Sequence, residues 1–318
     1  MDLSIIIVNW NSADFVIKCV SSIQRETKNL DYEIIVADSG SFDDCGAMLK
    51  REFPWVTFMQ ISENMGFARS NNTAFKAAHG KCILFLNPDT ELVGSAINTM
   101  YERIQTLPNA GAIGCKLLNT DFSIQTSCVQ SFPTILNQIL DAEPLRLKWP
   151  NSCLWGVAAL YASTDQPAEV EAISGAAVML KRSVFEQVGL FSEDYFMYAE
   201  DIDLSYKIRK AGFTNYYIPQ ASIVHFGGGS SQQIPNNFSI VMMRESIWRF
   251  LCKSRGKTYG LGYRWAMLLS AVVRLILLSV VLPVQHIRQQ QRTPDGALQK
   301  WGAILRWSLM RQQWLKQY

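Results

Sequence analysis

Leu3–Ser12 reads "LSIIIVNWNS". Ile5–Val8 are four consecutive β-branched residues, and Asn9, Asn11 and Ser12 then turn the chain polar. An apolar run of that length fits a strand covered on both faces, as in a parallel sheet. Phe15, Cys19, Val20 and Ile23 follow at helical spacing. The unit then repeats. Glu33–Ala37 is a second strand, ended by "DSGSFDD", and Ala47–Phe53 a helix. Val56–Ile61 is a third strand, and "ENMGFARSNN" opens a helix reaching Ala78. Cys82–Leu86 is a fourth strand, ended by "NPDTEL"; a helix over Ser95–Leu107 and a strand over Ala110–Leu118 complete the series. Strand, polar loop and helix in alternation predict a doubly wound α/β sheet. Its polar loops sit at the carboxyl ends of the strands, where such sheets bind ligands.

The later chain is less regular. Residues 120–168 hold Trp149, Trp155, Tyr161 and several prolines with weak periodicity, and read as a variable loop region that contacts substrate. "AISGAAVMLKR" is strand-like and "SVFEQVGLF" a short helix. Asp203–Lys210 is a helix stopped by Gly212, with Asp203 as its cap. Tyr216–Ile218 and Ala221–His225 are short strands leading into "HFGGGSS". Past Asn237 the character changes, which divides the chain into residues 1–235 and 236–318. Trp265–Val284 is long and apolar enough to cross a bilayer but contains Arg274, with basic residues on both flanks. A charge at the centre of a span costs about 2.5–3.5 kcal/mol on insertion scales. The segment is therefore read as an interfacial helix or hairpin lying in the cytoplasmic leaflet. "KWGAILRWSLMRQQWLKQY" reads as a basic amphipathic surface helix presenting Trp301, Ile304, Leu305, Trp307, Leu309 and Trp314.

The composition, 48% hydrophobic and 18% charged over 318 residues, supports a large core and excludes global disorder. A net charge of +3 argues against nucleic acid as a partner, while the basic tail suits anionic phospholipid. Seven scattered cysteines without a CxxC pair read as reduced core thiols. Met1-Asp2-Leu3 enters an apolar run without a basic region before it, so no signal peptide is expected.

GxGxxG, GxxxxGK[ST] and GxSxG are all absent from the sequence. That removes a dinucleotide-binding fingerprint, a P-loop and a serine-hydrolase elbow. What remains is a set of polar residues at strand ends: Asp38, Asp89, Asp201 and His225. Together they form a mixed oxygen and nitrogen donor set suited to Mg2+ or Mn2+. The backbone N–H groups of Gly227, Gly228 and Gly229 are placed to approach phosphate.

"SIIIVNWNS", "IIVADSGSFDD", "ENMGFARSNN", "ILFLNPDTEL", "ISGAAVMLKRSVFEQVGLF", "YFMYAEDIDLSYKIRKAGF" and "IVHFGGGSS" occur in that order. The series, covering about residues 3–231, resembles the family 2 inverting glycosyltransferases of GT-A fold, close to the rhamnosyltransferase-like subgroup. The resemblance implies roles residue by residue. Val8, Trp10 and Asp38 would line the base pocket, and Asn64, Gly66 and Asn72 would shape the loop over base and ribose. Asp89 ends the family's metal-binding DXD, whose first Asp is here Asn87, and His225 is the second protein ligand to the metal. Asp201 would be the general base and Glu200 would orient the site, with Phe196, Met197 and Tyr198 beside the acceptor sugar. The implied donor is dTDP-L-rhamnose, or with the same chemistry a UDP-sugar. The implied acceptor is a polyprenyl-diphosphate-linked saccharide at the cytoplasmic face of a bacterial inner membrane. A non-catalytic nucleotide-sugar-binding protein is the alternative of another class, and Asn87 is its support.

Overall fold

A computed structural model describes residues 1–140, 148–149, 152, 165–227, 236–287, 294–312 and 314–315. Trp155, Tyr161, Gly228 and Gly229 lie outside them. The described chain forms two compact units, one of Met1–Phe132, Lys148–Phe196 and Glu200–Gln232, the other of Pro133–Leu147, Met197–Ala199 and Gln233–Tyr318.

The first unit is built on one sheet. Its strands are β1 (Leu3–Asn9), β2 (Tyr32–Ser39), β3 (Thr57–Ile61), β4 (Cys82–Leu86), β5 (Thr90–Val93), β6 (Ala110–Leu118), β8 (Ala168–Val170), β10 (Ala177–Lys181) and β11 (Thr214–His225). Val129–Gln130 (β7) and Ala172–Ile173 (β9) pair separately. The strand order is β3-β2-β1-β4-β10-β6-β11-β5, with β8 on β11. β3, β2, β1 and β4 run parallel, as the apolar runs predict. Beyond β4 the sheet is mixed: β10 is antiparallel to both β4 and β6, and β5 is antiparallel to β11. β11 joins what reads as two strands, with a register shift between Ile218 and Ser222 around Pro219, which lacks a ladder donor.

Helices cover both faces. They are α1 (Ala13–Glu26), α2 (Cys45–Glu52), α3 (Gly66–Phe75), α4 (Ala96–Thr106), α6 (Arg182–Gln187) and α7 (Glu200–Lys210); α5 (Ile135–Leu140) belongs to the second unit. The apolar face of α1 buries Val16, Cys19, Val20 and Ile23 completely, against a core that includes Ile5, Ile6 and Ile7. The N–H groups at its start are satisfied by side chains: Asn9 Oδ1 accepts from Ser12 N–H at 3.0 Å and Asp43 Oδ2 from Ala13 N–H at 2.9 Å. Phe191 packs edge to face on Phe85 and Phe185, which are tilted on each other, with centroids 4.8–5.4 Å apart, and the three fix α6 and the loop before α7 on the sheet.

The second unit holds α8 (Asn236–Arg255), α9 (Lys257–Ile287) and α10 (Pro294–Ser308). Gly256, at φ +92°, makes the left-handed step between α8 and α9. Gly260 lets α9 approach α8, since a Cβ there would lie 2.2 Å from Cys252 Sγ. Arg264 Nη2 donates to Glu245 Oε2 at 2.9 Å, and its guanidinium lies 4.6 Å from the centroids of both Trp248 and Trp307. Trp307 Nε1 donates to the same carboxylate oxygen at 2.9 Å. Two expectations change here. Trp301, Ile304 and Trp307 are buried within the unit, so α10 is a packing helix and not the surface helix its composition suggests. Trp265–Val284 lies inside one 31-residue helix, not a hairpin. Tyr263, Met267 and Ala271 are buried on one side of α9, while Leu261, Trp265, Leu269, Val272, Val273, Ile276 and Leu277 are exposed on the other. Arg274 continues the buried row, one turn past Ala271; it donates to Ile139 O at 2.8 Å and lies 4.4 Å from the Trp301 ring centroid.

Candidate active site

Three of the four candidate positions, Asp38, Asp89 and His225, sit on one edge of the sheet, and Asp201, in the first turn of α7, is tied to that edge through Gly175. Asp38 pairs in register with Asn9, the last residue of β1, and Ile7 pairs with Leu86, the last of β4. Asn87, Pro88 and Asp89 continue from that end, and Thr90 pairs with His225 at the end of β11. β2 and β4 are two strand steps apart, about 10 Å at the usual ladder spacing.

Asp38 is 2% exposed and already well supplied with donors. Asn9 Nδ2 donates to its Oδ2 at 2.7 Å, and Ser41 N–H and Gln60 Nε2 donate to its Oδ1, each at 2.9 Å. A carboxylate has about four acceptor positions, so a ligand base would meet a carboxylate already aimed by three protein groups. Val8 and Trp10 flank this point, both half-buried at the end of β1.

The next loop brings two distant motifs together. Asn64 Oδ1 accepts from Gly66 N–H at 3.0 Å, and Phe67 N–H donates to Phe196 O at 3.0 Å. Gly66 has φ +79°, and a Cβ there would lie 2.1 Å from Phe196 O. Asn72 is buried. Its Nδ2 donates to Phe191 O and Glu193 Oε1, each at 3.0 Å, and its Oδ1 accepts from Phe191 N–H at 3.1 Å. Its side chain therefore braces the loop before α7.

Glu200 and Asp201 open α7, just after Tyr198 and Ala199, which hold φ of +70° and +61°. Left-handed backbone at a residue with a side chain costs about 1–2 kcal/mol, and such strain gathers at functional sites. Asp203 lies inside the helix and does not cap it. Its carboxylate accepts from Ser192 Oγ at 2.5 Å and Tyr195 OH at 3.3 Å. Asp201 Oδ2 accepts from Gly175 N–H at 2.8 Å and Oδ1 from Ile202 N–H at 2.8 Å. Desolvation raises the Asp201 pKa above the usual carboxylate value against the pull of these two donors. Glu200 is 7% exposed, and its Oε2 has no hydrogen-bond partner among the described residues. Burial first, and then the charge of Asp201, push it up to about 8. Such a pair can share one proton at neutral pH, with the charge on Asp201.

Asp89 and His225 face each other, with Oδ1 and Nε2 3.4 Å apart. Their chains are tied: Phe226 N–H donates to Asp89 O at 2.9 Å. Asn87 Nδ2 is 3.4 Å from His225 Nε2. The side chains of Asp89 and His225 are 9% and 15% exposed. An oxygen and a nitrogen at that separation fit one hard divalent ion, with most of its positions left for other ligands. Among the described residues, no group of three or more His, Cys, Asp or Glu surrounds such a site. Gly227, at φ +66°, follows at once.

The carboxylate pair and the Asp89–His225 pair share a scaffold. Asn87 N–H donates to Ala176 O at 2.9 Å, and the neighbouring Gly175 holds Asp201. Gly175, Asn9 and Gln125 contact the candidate residues Asp201, Asp38 and His225, and the sequence reading does not single them out. Asn9 carries a signal, a polar side chain ending an otherwise apolar strand. Gly175 and Gln125 act through contacts 26 and 100 residues away and carry none.

A parallel half-sheet continued by antiparallel strands, with acidic residues and a histidine lining its carboxyl edge, is the GT-A fold of a glycosyltransferase. The chain belongs to glycosyl transferase family 2, whose model matches residues 4–163. It is 26% identical over 286 residues to N-acetylglucosaminyl-diphospho-decaprenol L-rhamnosyltransferase of Mycobacterium tuberculosis, covering 86% of this chain and 91% of that one. It is 26% identical to rhamnosyltransferase WbbL of Escherichia coli over 260 residues, 79% and 93% of the two chains. Among solved structures, the mannosyltransferase PcManGT from Pyrobaculum calidifontis, in complex with GDP-Man and Mn2+, superposes with a TM-score of 0.61. That match has 16% identity and covers 98% of this chain and 87% of the other.

Proposed function

We propose that this chain transfers L-rhamnose from dTDP-rhamnose to a hydroxyl of a polyprenyl-diphosphate-linked saccharide, with inversion, in the assembly of a surface polysaccharide. The names of the two rhamnosyltransferases support the sugar, and the decaprenol-diphosphate acceptor of one supports the lipid. The observation that carries the reading is the anchoring of Asp201 by Gly175 beside the Asn87 strand end. It sets a carboxylate with a free lone pair next to the place where a diphosphate would lie. Asp201 takes the proton of the attacking hydroxyl as the new bond forms on the face opposite the leaving nucleotide. Glu200, protonated, keeps the charge on Asp201. Asp38 receives the base, aided by Val8 and Trp10, while Asn64 and Gly66 set the loop above it. Asp89 and His225 would hold Mg2+ or Mn2+, with Asn87 beside them, and Gly227 offers backbone N–H to phosphate. Such an ion supplies positive charge beside the diphosphate leaving group.

Asp201→Asn tests the base. Turnover should fall by about 10²–10⁴-fold, with donor binding by calorimetry retained. Near-normal turnover removes the assignment. Product mass spectrometry with dTDP-rhamnose and UDP-hexoses, on a synthetic lipid-linked acceptor, identifies the donor; transfer from a UDP-hexose alone replaces rhamnose in the proposal.

The exposed row of α9 supports a membrane-surface location, at the cytoplasmic face of a bacterial inner membrane. It presents Trp265, Leu269 and Ile276, each more than half exposed, and Lys253, Arg255 and Lys257 are exposed at its start. Such a pattern lies in the headgroup layer of anionic lipid. A Leu269→Glu, Ile276→Glu double variant should lose sedimentation with anionic phospholipid vesicles while keeping its melting temperature. Unchanged sedimentation would refute this placement.

A further inference from the structure

We propose that Gln125 is the positioning residue that fixes which nitrogen of His225 faces Asp89; the proposal rests on the reading of Asp89 and His225 as a cation pair. Gln125 follows β6 in a loop, half-buried, and its side-chain amide grips His225 twice. Gln125 Nε2 donates to the backbone carbonyl of His225 at 2.9 Å. Gln125 Oε1 lies 2.8 Å from His225 Nδ1.

The backbone carbonyl can only accept, so the amide nitrogen must be the group that faces it. A second contact agrees, because the same Nε2 donates to Asn119 Oδ1 at 3.0 Å. Asn119 is oriented in turn: its Nδ2 donates to Ser123 Oγ at 2.8 Å, and that hydroxyl donates to Asp121 Oδ1 at 2.6 Å. The amide orientation of Gln125 is thus decided at both ends. Its Oε1 is the atom left for the imidazole, and an oxygen there accepts. His225 Nδ1 must therefore carry a hydrogen. In the neutral ring the lone pair then stands on Nε2, the atom 3.4 Å from Asp89 Oδ1. A histidine that ligates through one nitrogen commonly donates from the other to an acceptor that fixes its tautomer and plane. Gln125 supplies that acceptor. Its grip on the backbone of the same residue holds ring and strand end as one body.

The test compares the full chain with Gln125→Met, which removes the acceptor, and Gln125→Glu, which keeps it. The chain has three histidines, so ¹⁵N-histidine NMR resolves the ring of His225 once it is assigned with His225→Ala. The probe is Mn2+ alone, titrated by electron paramagnetic resonance. In the metal-free wild type, His225 should be the Nδ1–H tautomer. Gln125→Met should mix the tautomers and weaken Mn2+ binding about 10- to 100-fold. Gln125→Glu should keep the wild-type tautomer. An Nε2–H tautomer in the wild type overturns the proposal, whether or not the Met variant folds. So does a folded Gln125→Met that binds Mn2+ as the wild type does. Equal Mn2+ affinity in the wild type and Asp89→Asn would instead overturn the cation pair itself.

Discussion

Gly66→Ala tests whether the two loops around Phe67 and Phe196 act as one piece. At φ +79° an alanine pays the left-handed penalty, about 1–2 kcal/mol. Its Cβ would stand 2.1 Å from Phe196 O and 2.9 Å from Phe196 Cδ2. That oxygen is backbone, so rotating a side chain does not relieve it, and the two loops must separate by about 1 Å to restore ordinary contact. That separation breaks the Phe67 N–H···O=C Phe196 bond, about 0.5–1.5 kcal/mol. The total is about 1.5–3.5 kcal/mol, or about 3–14 °C in a domain of this size. Phe196 is four residues before Glu200, so a shift there disturbs the first turn of α7. A misplacement of about 1 Å can cost about 100-fold in rate, while Asp89 and His225, held by β5 and β11, keep their spacing. Differential scanning calorimetry, turnover and Mn2+ titration on one preparation separate these effects. A variant that melts within about 1 °C of wild type and turns over normally would refute the reasoning. So would one whose Mn2+ binding falls as far as its turnover.

Glu200→Gln should change how stability depends on pH. The folded carboxyl titrates at about 8 and the unfolded one near its ordinary value, about 4.3. The folded state therefore holds the extra proton between those values. Its stabilising share is complete below the lower value and is lost as pH rises through the upper one. The melting temperature of the variant should gain on wild type from pH 5 to pH 8 and level off above, and parallel curves would refute the shift. Glu245→Ala strands Arg264 in a buried site, which should cost about 3–5 kcal/mol in urea unfolding followed by tryptophan fluorescence. A loss under about 1 kcal/mol would mean that the pair behaves as a surface salt bridge. Gly114→Val should destabilise the sheet from within, because even a Cβ at Gly114 would meet Ile173 Cγ2 at 2.2 Å. Overpacking of that kind costs about 1–3 kcal/mol, read as a lower urea midpoint, and an unchanged midpoint would refute it.

The parallel half of the sheet was legible because burial on both faces leaves continuous apolar runs such as Ile5–Val8. The ends of Cys82–Leu86 and Ala110–Leu118 coincide with the observed strands. The antiparallel insertion of β10 was not legible, since strand direction depends on a partner far along the chain. The polar residues at strand ends stood out one by one. Their partners did not: Asn72, expected to shape a loop, is hydrogen-bonded to Phe191 and Glu193 about 120 residues on, and Asp203 reads like a cap and braces Ser192 and Tyr195. At the C-terminus, composition predicts the apolar character of α9 and α10 but cannot say which faces of them are covered. Packing against Tyr263 and Glu245 decides that for Trp307.

The placement of Arg274 changes what its charge means for the helix that carries it. A guanidinium hydrogen-bonded to a carbonyl and resting on an indole turns inward, away from the row formed by Leu261, Trp265, Leu269, Val272 and Ile276. That row is an uninterrupted hydrocarbon keel, and it can settle into acyl chains without dragging a cation after it. On the proposed membrane-surface placement, the lysines and arginines at the front of the helix would set the depth of immersion, as a float line.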